Sequence, residues 1–564
     1  MNKETDKIKW LEWGKESFEK AKKEDKPILL DLTAVWCHWC HVMDTNSYSN
    51  DEIAKIINEC FVPIKVYIDK RPDIRERYNM GGFPSTVFLD NGGQIITGDT
   101  YVPPERFKFM LETVKSSYKN KKDFVKNKQE QKNDADIFSG SKAEINEEII
   151  KATLMAAEDS FDRFYGGFGV QPKFPSSDVL DLLFFQYQKT KDKKYIEMAI
   201  KTLDGMHDGI YDKVYSGFFR YSAAQDWKMP HFEKMLDTNA GLLRNYAVAY
   251  NITKNEKYRK IAMDTLGYLN KFLSDQKNGG FYGSQDADEE FYSLGAEERN
   301  KRNHPHIDNA IYVDRNAMMI SSYIKAGAIL NDNKAIEFGI KTSDFILDKF
   351  YDSKSGLSHF LDKELNVNGL LADNIYFLNA IIDAYFASQN QMYLKKINEI
   401  SGFILKNFYD ETSSGFFDKV IKEEDLGELK QRDKHFLDNS FSAIVFLRVY
   451  FLTKEEKYKE AAKKTLLHFS NSCFNFGYFA AMYAMAVGML LEDVIKVDIV
   501  GRKDMINVCI ASNNPRVFVS FIDKHNNKSS NKDMPMAEGA YVCKGALCKG
   551  PTTDNNKLEE ELAN

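Results

Sequence analysis

From about Ala143 to Leu491 the chain returns again and again to one unit, a turn made of an acid, an aromatic residue and glycines. It occurs at Asp162–Gly169, Asp212–Phe219, Asp275–Tyr282, Asp352–Leu357 and Asp410–Phe417. Two helical patterns lie between successive turns. One opens on Asp or Asn (Asp237-Thr238-Asn239, Asp314-Arg315-Asn316, Asp373-Asn374, Asp438-Asn439), which predicts a side-chain cap. Its apolar residues, such as Leu242, Leu243, Tyr246 and Ala249, then cover most of its sides. The other pattern is amphipathic and Lys-rich, as in Lys193–Leu203 and Glu256–Phe272. An all-apolar helix belongs inside and an amphipathic one outside. Such pairs, at uneven spacings of roughly 50 to 80 residues, predict a closed α-toroid over 143–492 rather than an open solenoid.

The first 119 residues obey a different rule. The apolar run Pro27-Ile28-Leu29-Leu30 reads as a buried strand, and Cys37-His38-Trp39-Cys40-His41 follows where a helix begins. Thiols two residues apart at a helix start suit reversible disulfide chemistry, because the helix dipole favours the thiolate. Then come a helix (Asp51–Cys60), a strand (Phe61–Ile68), a helix (Pro72–Tyr78), Gly81-Gly82-Phe83-Pro84-Ser85, a hairpin at Asp90–Gly93 and a helix from about Pro104 to Tyr118. This βαβαββα order resembles a thioredoxin domain. The resemblance gives Pro84 the part of a cis-proline facing the dithiol, and Asp31 that of a buried proton acceptor. His38, when protonated, would stabilise the thiolate.

Of 564 residues, 28% are charged and the net charge is −6, with no basic block, so neither composition nor pattern asks for nucleic acid. The N-terminus has no apolar h-region, and Phe479–Leu491 is too short to span a bilayer, so a cytoplasmic chain without a membrane segment is expected. Seven cysteines are too few for a disulfide scaffold. No phosphate-cradling glycine loop occurs, so no nucleotide cofactor is implied, nor any other cofactor or metal. Residues 120–142, rich in Lys, Asn, Gln, Asp and Glu, read as a linker, and 493–564 as a small α/β segment with strands at Val494–Gly501 and Val517–Ile522.

Long literal strings then identify a family. They are Cys37–Met43, Arg71–Ile74, Gly166–Gly169 with Pro172–Pro175, Gly217–Ser222, Pro230–Leu236, Ser284–Asp288, and Tyr541–Cys543 with Cys548 and Pro551. The chain resembles the family of spermatogenesis-associated protein 20, which joins a thioredoxin-like domain to an (α/α)6 toroid of the six-hairpin glycosidase type. It departs from that family in a shorter approach to Pro84 and in a different loop after Asp288.

The expected chemistry is a thiol–disulfide exchange with Cys37 as nucleophile and Cys40 as resolving thiol, acting on a protein or small-molecule disulfide. In the toroid, His231, Glu233, Asp237, Asp286 and Asp288 are the pocket candidates for a carbohydrate-like ligand. Asp314, Asp373 and Asp438 are explained by capping, whereas His231–Lys234 and Asp286-x-Asp288 are not repeated. Cys543 and Cys548 are accessory thiols: free, paired with each other, or zinc ligands beside Cys37 and Cys40. Two rival readings remain, a carbohydrate-active toroid (hydrolase or epimerase) with a regulatory thioredoxin unit, and a zinc-binding scaffold.

Overall fold

The computed structural model describes residues 7–119, 144–362, 365, 367–523 and 537–563. The expected linker, 120–142, lies outside them. The chain begins with α1 (Lys15–Glu24) and the fully buried strand β1 (Ile28–Thr33). Next come α2 (His38–Met43), α3 (Asp51–Cys60), β2 (Val62–Tyr67) and α4 (Pro72–Tyr78). The hairpin β3 (Ser85–Leu89) and β4 (Ile95–Asp99) leads to α5 (Pro104–Lys119). The sheet order is β2–β1–β3–β4, with β2 parallel and β3 antiparallel to β1, the arrangement of a thioredoxin fold. β1 is central because all its residues are buried; α3 starts where Asn50 accepts the Glu52 N–H at 3.0 Å and the Ile53 N–H at 3.2 Å.

Helices α6 (Glu147–Ser160), α7 (Ser177–Thr190), α8 (Lys193–Gly209), α9 (Leu236–Thr253) and α10 (Glu256–Phe272) open the toroid. Two short helices, α11 (Glu289–Ser293) and α12 (Ala296–Arg299), interrupt it. Then follow α13 (Val313–Leu330), α14 (Asn333–Lys349), α15 (Leu371–Ser388), α16 (Gln391–Phe408), α17 (Phe436–Thr453), α18 (Glu456–Phe469) and α19 (Ala481–Leu491). Packing runs α7–α9–α13–α15–α17–α19 and back to α7, a closed inner ring, with α6 lying against α19 to complete the outer one. α13 buries fourteen of its eighteen residues and α14 seven of seventeen, which is the difference between an inner and an outer helix.

The expected caps belong elsewhere. Outer helices α8, α10, α14 and α16 are capped by Asp192, Asn255, Asp332 and Asn390. Inner helices start one or two residues earlier than the capping pattern implies. Their N-cap positions are Met235, Tyr312, Leu370 and His435, none of which caps with its side chain. The Asn in each pair instead clamps the preceding glycine turn. Asn239 accepts the Phe218 N–H at 2.8 Å and donates to the Phe218 carbonyl at 3.0 Å; Asn316 treats Phe281 the same way, and Asn439 treats Phe416. Asp237, Asp314, Asp373 and Asp438 are thereby released from capping.

Two helical stretches, Phe436–Thr453 and Ser472–Leu491, are long and apolar enough to cross a membrane by length and composition; both supply inner-ring wall. Beneath the C-terminal ends of the inner helices sits β5 (Ile495–Val500), α20 (Asp504–Ala511), β6 (Val517–Ile522), β7 (Gly539–Lys544), β8 (Leu547–Cys548) and α21 (Asn555–Ala563). Lys325 of α13 donates to the Ile510 carbonyl at 2.7 Å, and Asn251 of α9 to that of Ala511 at 3.2 Å. The thioredoxin-like unit covers the other end. Met235, next to the start of α9, packs into its core with Trp36, Cys37 and Cys40, and Arg77 pairs with Asp418.

Candidate functional site

Cys37 caps α2, and its Sγ accepts the Cys40 N–H at 3.3 Å. Both thiols are free and buried, Cys37 being 4% exposed and Cys40 2%. Burial, and then the neighbouring Cys37 sulfur, push the Cys40 thiol well above its ordinary range. Asp31 lies buried in β1; neither of its carboxylate oxygens is hydrogen-bonded, and Lys65 Nζ stands 3.5 Å from Oδ2. Burial raises its pKa to about 6. Lys65 is itself tied to Asp44 at 2.8 Å, and the two carboxylates outweigh its burial and keep it charged. The Phe83–Pro84 peptide is cis, Pro84 is buried, and the Phe83 ring meets Trp36 edge-on at 6.5 Å.

The toroid supplies the roof. Arg220 lays its guanidinium 4.4 Å above the Trp36 ring. Tyr221 stacks between His231 (4.2 Å) and Phe174 (4.5 Å), and the field of Cys37 reaches its hydroxyl. Glu233 is 3% exposed, its Oε2 has no hydrogen-bond partner, and burial raises its pKa. Asp286 is raised to about 6, chiefly by burial, and its Oδ2 lies 4.0 Å from His41 Nδ1. Burial and the Arg220 charge lower His231. His38 acts electrostatically on His231, Glu233 and Asp286 alike.

Three of the five toroid candidates, His231, Glu233 and Asp286, therefore lie within the field of the motif's histidines, and Asp286 reaches His41. The other two stand apart. Asp288 caps α11 through the Phe291 N–H at 2.8 Å, so capping accounts for it after all. Asp237 lies exposed in the first turn of α9, where its charge acts on Arg315. Lys234, from the same unrepeated string, is fully buried on Asp212 at 2.7 Å, a structural ion pair.

Asp69, just after β2, escaped the sequence reading and joins the two units. It accepts from Trp36 Nε1 at 2.6 Å, pairs with Arg315, and offers its carbonyl to His359 Nε2 at 2.7 Å. His359 Nδ1 lies 2.8 Å from Asp373, whose Oδ1 also accepts the Asp314 N–H at 3.2 Å. Burial opposes charge on His359, but the Asp373 carboxylate prevails and holds it up at about 9. Asp314, His359 and Asp373 are of metal-ligating type and within 4.8 Å of one another. Both imidazole nitrogens are committed to oxygen partners, so this histidine has no lone pair for a metal. The only sequence signals for Asp69 and Arg220 were their positions beside Arg71–Ile74 and within Gly217–Ser222, two of the strings that carry the family resemblance.

Cys543 and Cys548 face each other across β7 and β8 and are disulfide-bonded, the second of the three alternatives open to them. They lie at the far end of the inner helices, about 27 Å of helix from the dithiol, which rules out a shared four-thiolate site. That end also holds a groove of about 390 Å³ lined by Tyr187, Asn251, Lys254, Ser512 and Glu559.

A family model described as a protein of unknown function, DUF255 (Thioredox_DsbH), matches residues 1–135. An uncharacterised protein of Caenorhabditis elegans is 26% identical over 704 residues, spanning 98% of this chain and 94% of its own length. Spermatogenesis-associated protein 20 of Homo sapiens is 25% identical over 98% of this chain and 90% of its own length. A crystal structure of D-mannose isomerase, 14% identical, superposes with a TM-score of 0.51 over 62% of this chain and 99% of that one, a likeness of toroid fold alone. With relatives aligned from end to end and both folds accounted for, the chain is homologous over its full length to spermatogenesis-associated protein 20.

Proposed function

We propose that the protein is a thiol–disulfide oxidoreductase whose working atoms are the sulfurs of Cys37 and Cys40. The observation that carries this reading is Asp31, a buried carboxylate without a hydrogen bond, beside a thiol that burial keeps protonated. Cys37, at the start of α2, attacks one sulfur of a substrate disulfide and forms a mixed disulfide; the first substrate thiolate leaves and takes a proton from water. Asp31 accepts the Cys40 proton. The Cys40 thiolate then attacks Cys37 Sγ, breaks the mixed disulfide and expels the second thiolate. Two electrons pass to the substrate, and an external thiol reductant restores the dithiol. In this reading Pro84 serves as the cis-proline facing the sulfurs, and His38, when protonated, favours the thiolate.

Titration in glutathione buffers with thiol trapping, using Cys37→Ser as control, tests the reading. A reversible disulfide at about −270 to −180 mV is the expected result. Thiols that stay reduced throughout would sink it.

A carbohydrate-active toroid is the second reading. It is favoured by the carboxylates Asp178, Asp237, Asp314 and Asp438, which stand in the first turns of inner helices without capping them. Among them Asp178 is part-exposed, with its Oδ1 3.9 Å from Arg244, and so is open to a ligand as a candidate acid. Sugar binding or turnover lost in Asp178→Asn supports this reading, and sugar turnover unaffected by Asp178→Asn, Asp286→Asn and His231→Ala counts against it. The zinc-scaffold reading keeps only Cys37 and Cys40, since Cys543 and Cys548 are bonded; metal analysis showing no zinc that Cys37→Ser removes would end it.

A further inference from the structure

The junction over the dithiol carries an unpaired cation, Arg220, and a buried acid with an orphaned oxygen, Glu233. The Arg220 backbone N–H donates to the His231 carbonyl at 3.2 Å, but its guanidinium makes neither a hydrogen bond nor an ion pair among the described residues; it lies over the faces of Trp36, at 4.4 Å, and Tyr221, at 5.6 Å. A guanidinium stacked on its face keeps its in-plane N–H fork free, which is the geometry that grips a carboxylate through two parallel hydrogen bonds. Asp286 is 18% exposed at its side chain; its Oδ2 lies 4.0 Å from His41 Nδ1, its Oδ1 accepts the Ala287 N–H at 2.8 Å, and its charge, like that of Arg220, acts on the buried Glu233. The orphaned Oε2 of Glu233 is an acceptor awaiting a donor, since a buried polar atom without a partner costs stability unless something else repays it. Cys37 and Pro84, against which an extended polypeptide would have to lie, are both covered. Such a cover favours a small substrate over a folded protein.

Building on the redox reading above, we propose that the substrate of the dithiol is a small disulfide of amino-acid type. Its carboxylate sits on the Arg220 fork and its ammonium on Asp286 backed by Glu233, so that its sulfur lies over Cys37. The exchange is the one already written: the substrate S–S bond breaks, the Cys37–Cys40 bond forms, and two thiols leave. A thiol reductant, dithiothreitol in the assay, returns the two electrons.

The test uses the full chain with dithiothreitol as reductant and four disulfides. L-Cystine has both groups, cystamine lacks the carboxylates, 3,3′-dithiodipropionate lacks the ammonium groups, and insulin is a protein disulfide. The expected result is a kcat/KM for cystine about tenfold or more above that for either one-charge analogue. Arg220→Gln should raise KM for cystine and bring the cystine-to-cystamine ratio to within about threefold of one; Glu233→Gln should do the same to the cystine-to-dithiodipropionate ratio. Equal rates with all three small disulfides, a ratio that survives Arg220→Gln, or faster reduction of insulin than of cystine would overturn the substrate class and leave the redox reading standing. No reduction of any disulfide, together with a Cys37–Cys40 pair that never oxidises in glutathione buffers, would overturn both.

Discussion

The two cysteine pairs of this chain teach opposite lessons. Cys543 and Cys548 face each other across a two-residue ladder at a partly exposed sheet edge, and they are bonded. Cys37 and Cys40 lie one turn apart at a helix start, roofed by another unit of the chain, and they are free. What separates the bonded pair from the free one here is the surroundings: a buried carboxylate near Cys40, a cation over Trp36, and restricted access.

The sharpest way to break that contrast is by substitution at sulfur. Cys37→Ser should abolish disulfide reduction, a loss of at least about 1,000-fold. Cys543→Ser should leave the rate within about twofold, as followed by consumption of reductant. The next largest effect belongs to Asp31→Asn, which should slow turnover about 100-fold. In the parent protein the rate should rise with pH through about 6 as Asp31 ionises, and the variant should lack that step. Stability should move the other way. A folded pKa of about 6 against an ordinary value of 3.8 means that the fold prefers the neutral form, so stability falls as pH rises from about 4 to 6. Asp31→Asn should then be more stable at pH 7, by up to about 3 kcal/mol, in denaturant titrations.

His359→Gln probes the roof rather than the sulfurs. Because Asp373 raises the folded pKa of His359 to about 9 from 6.5, its contribution is complete below about pH 6.5 and is lost as pH rises through about 9. The parent should therefore lose of the order of 2–3 kcal/mol across that window, and His359→Gln should show no such slope. Reactivity of Cys37 toward iodoacetamide at pH 7 should increase in the variant as the roof loosens. The smallest effect is at the fastener. Opening the Cys543–Cys548 loop should cost at most about 2 kcal/mol, because so short a loop restrains the unfolded chain little.

Much of this was legible beforehand, for reasons of range. The thioredoxin-like order follows from signals within ten residues or so of each other, such as Asn50 before α3 or the Asp90–Gly93 turn before β4. The toroid was legible because its unit recurs. Its capping residues were assigned to the wrong helices, because an Asp followed by an Asn looks the same whether the Asp caps the helix or the Asn clamps a turn twenty residues earlier. The site itself was only half legible. Cys37, Cys40 and Asp31 are local to one motif, whereas Asp69 meets Arg315 and His359 across 246 and 290 residues, and no periodicity encodes such a meeting. Arg220 was hidden for the same reason: its partner, the ring of Trp36, belongs to another fold.

The six inner helices all begin at the end covered by the thioredoxin-like unit. Each α-helix presents roughly half a positive charge at its N-terminus, so the mouth of the ring gathers about three units in a small area. Five of these helices carry an aspartate in the first turn, Asp178, Asp237, Asp314, Asp373 and Asp438, and only α19 carries none. The recurring acid thus has a use that capping does not describe: it counterbalances the field of parallel backbone dipoles. The mouth is an electrostatically compensated rim, and an anion formed there, a cysteine thiolate included, is set against a surface whose charge the backbone and the aspartates fix jointly.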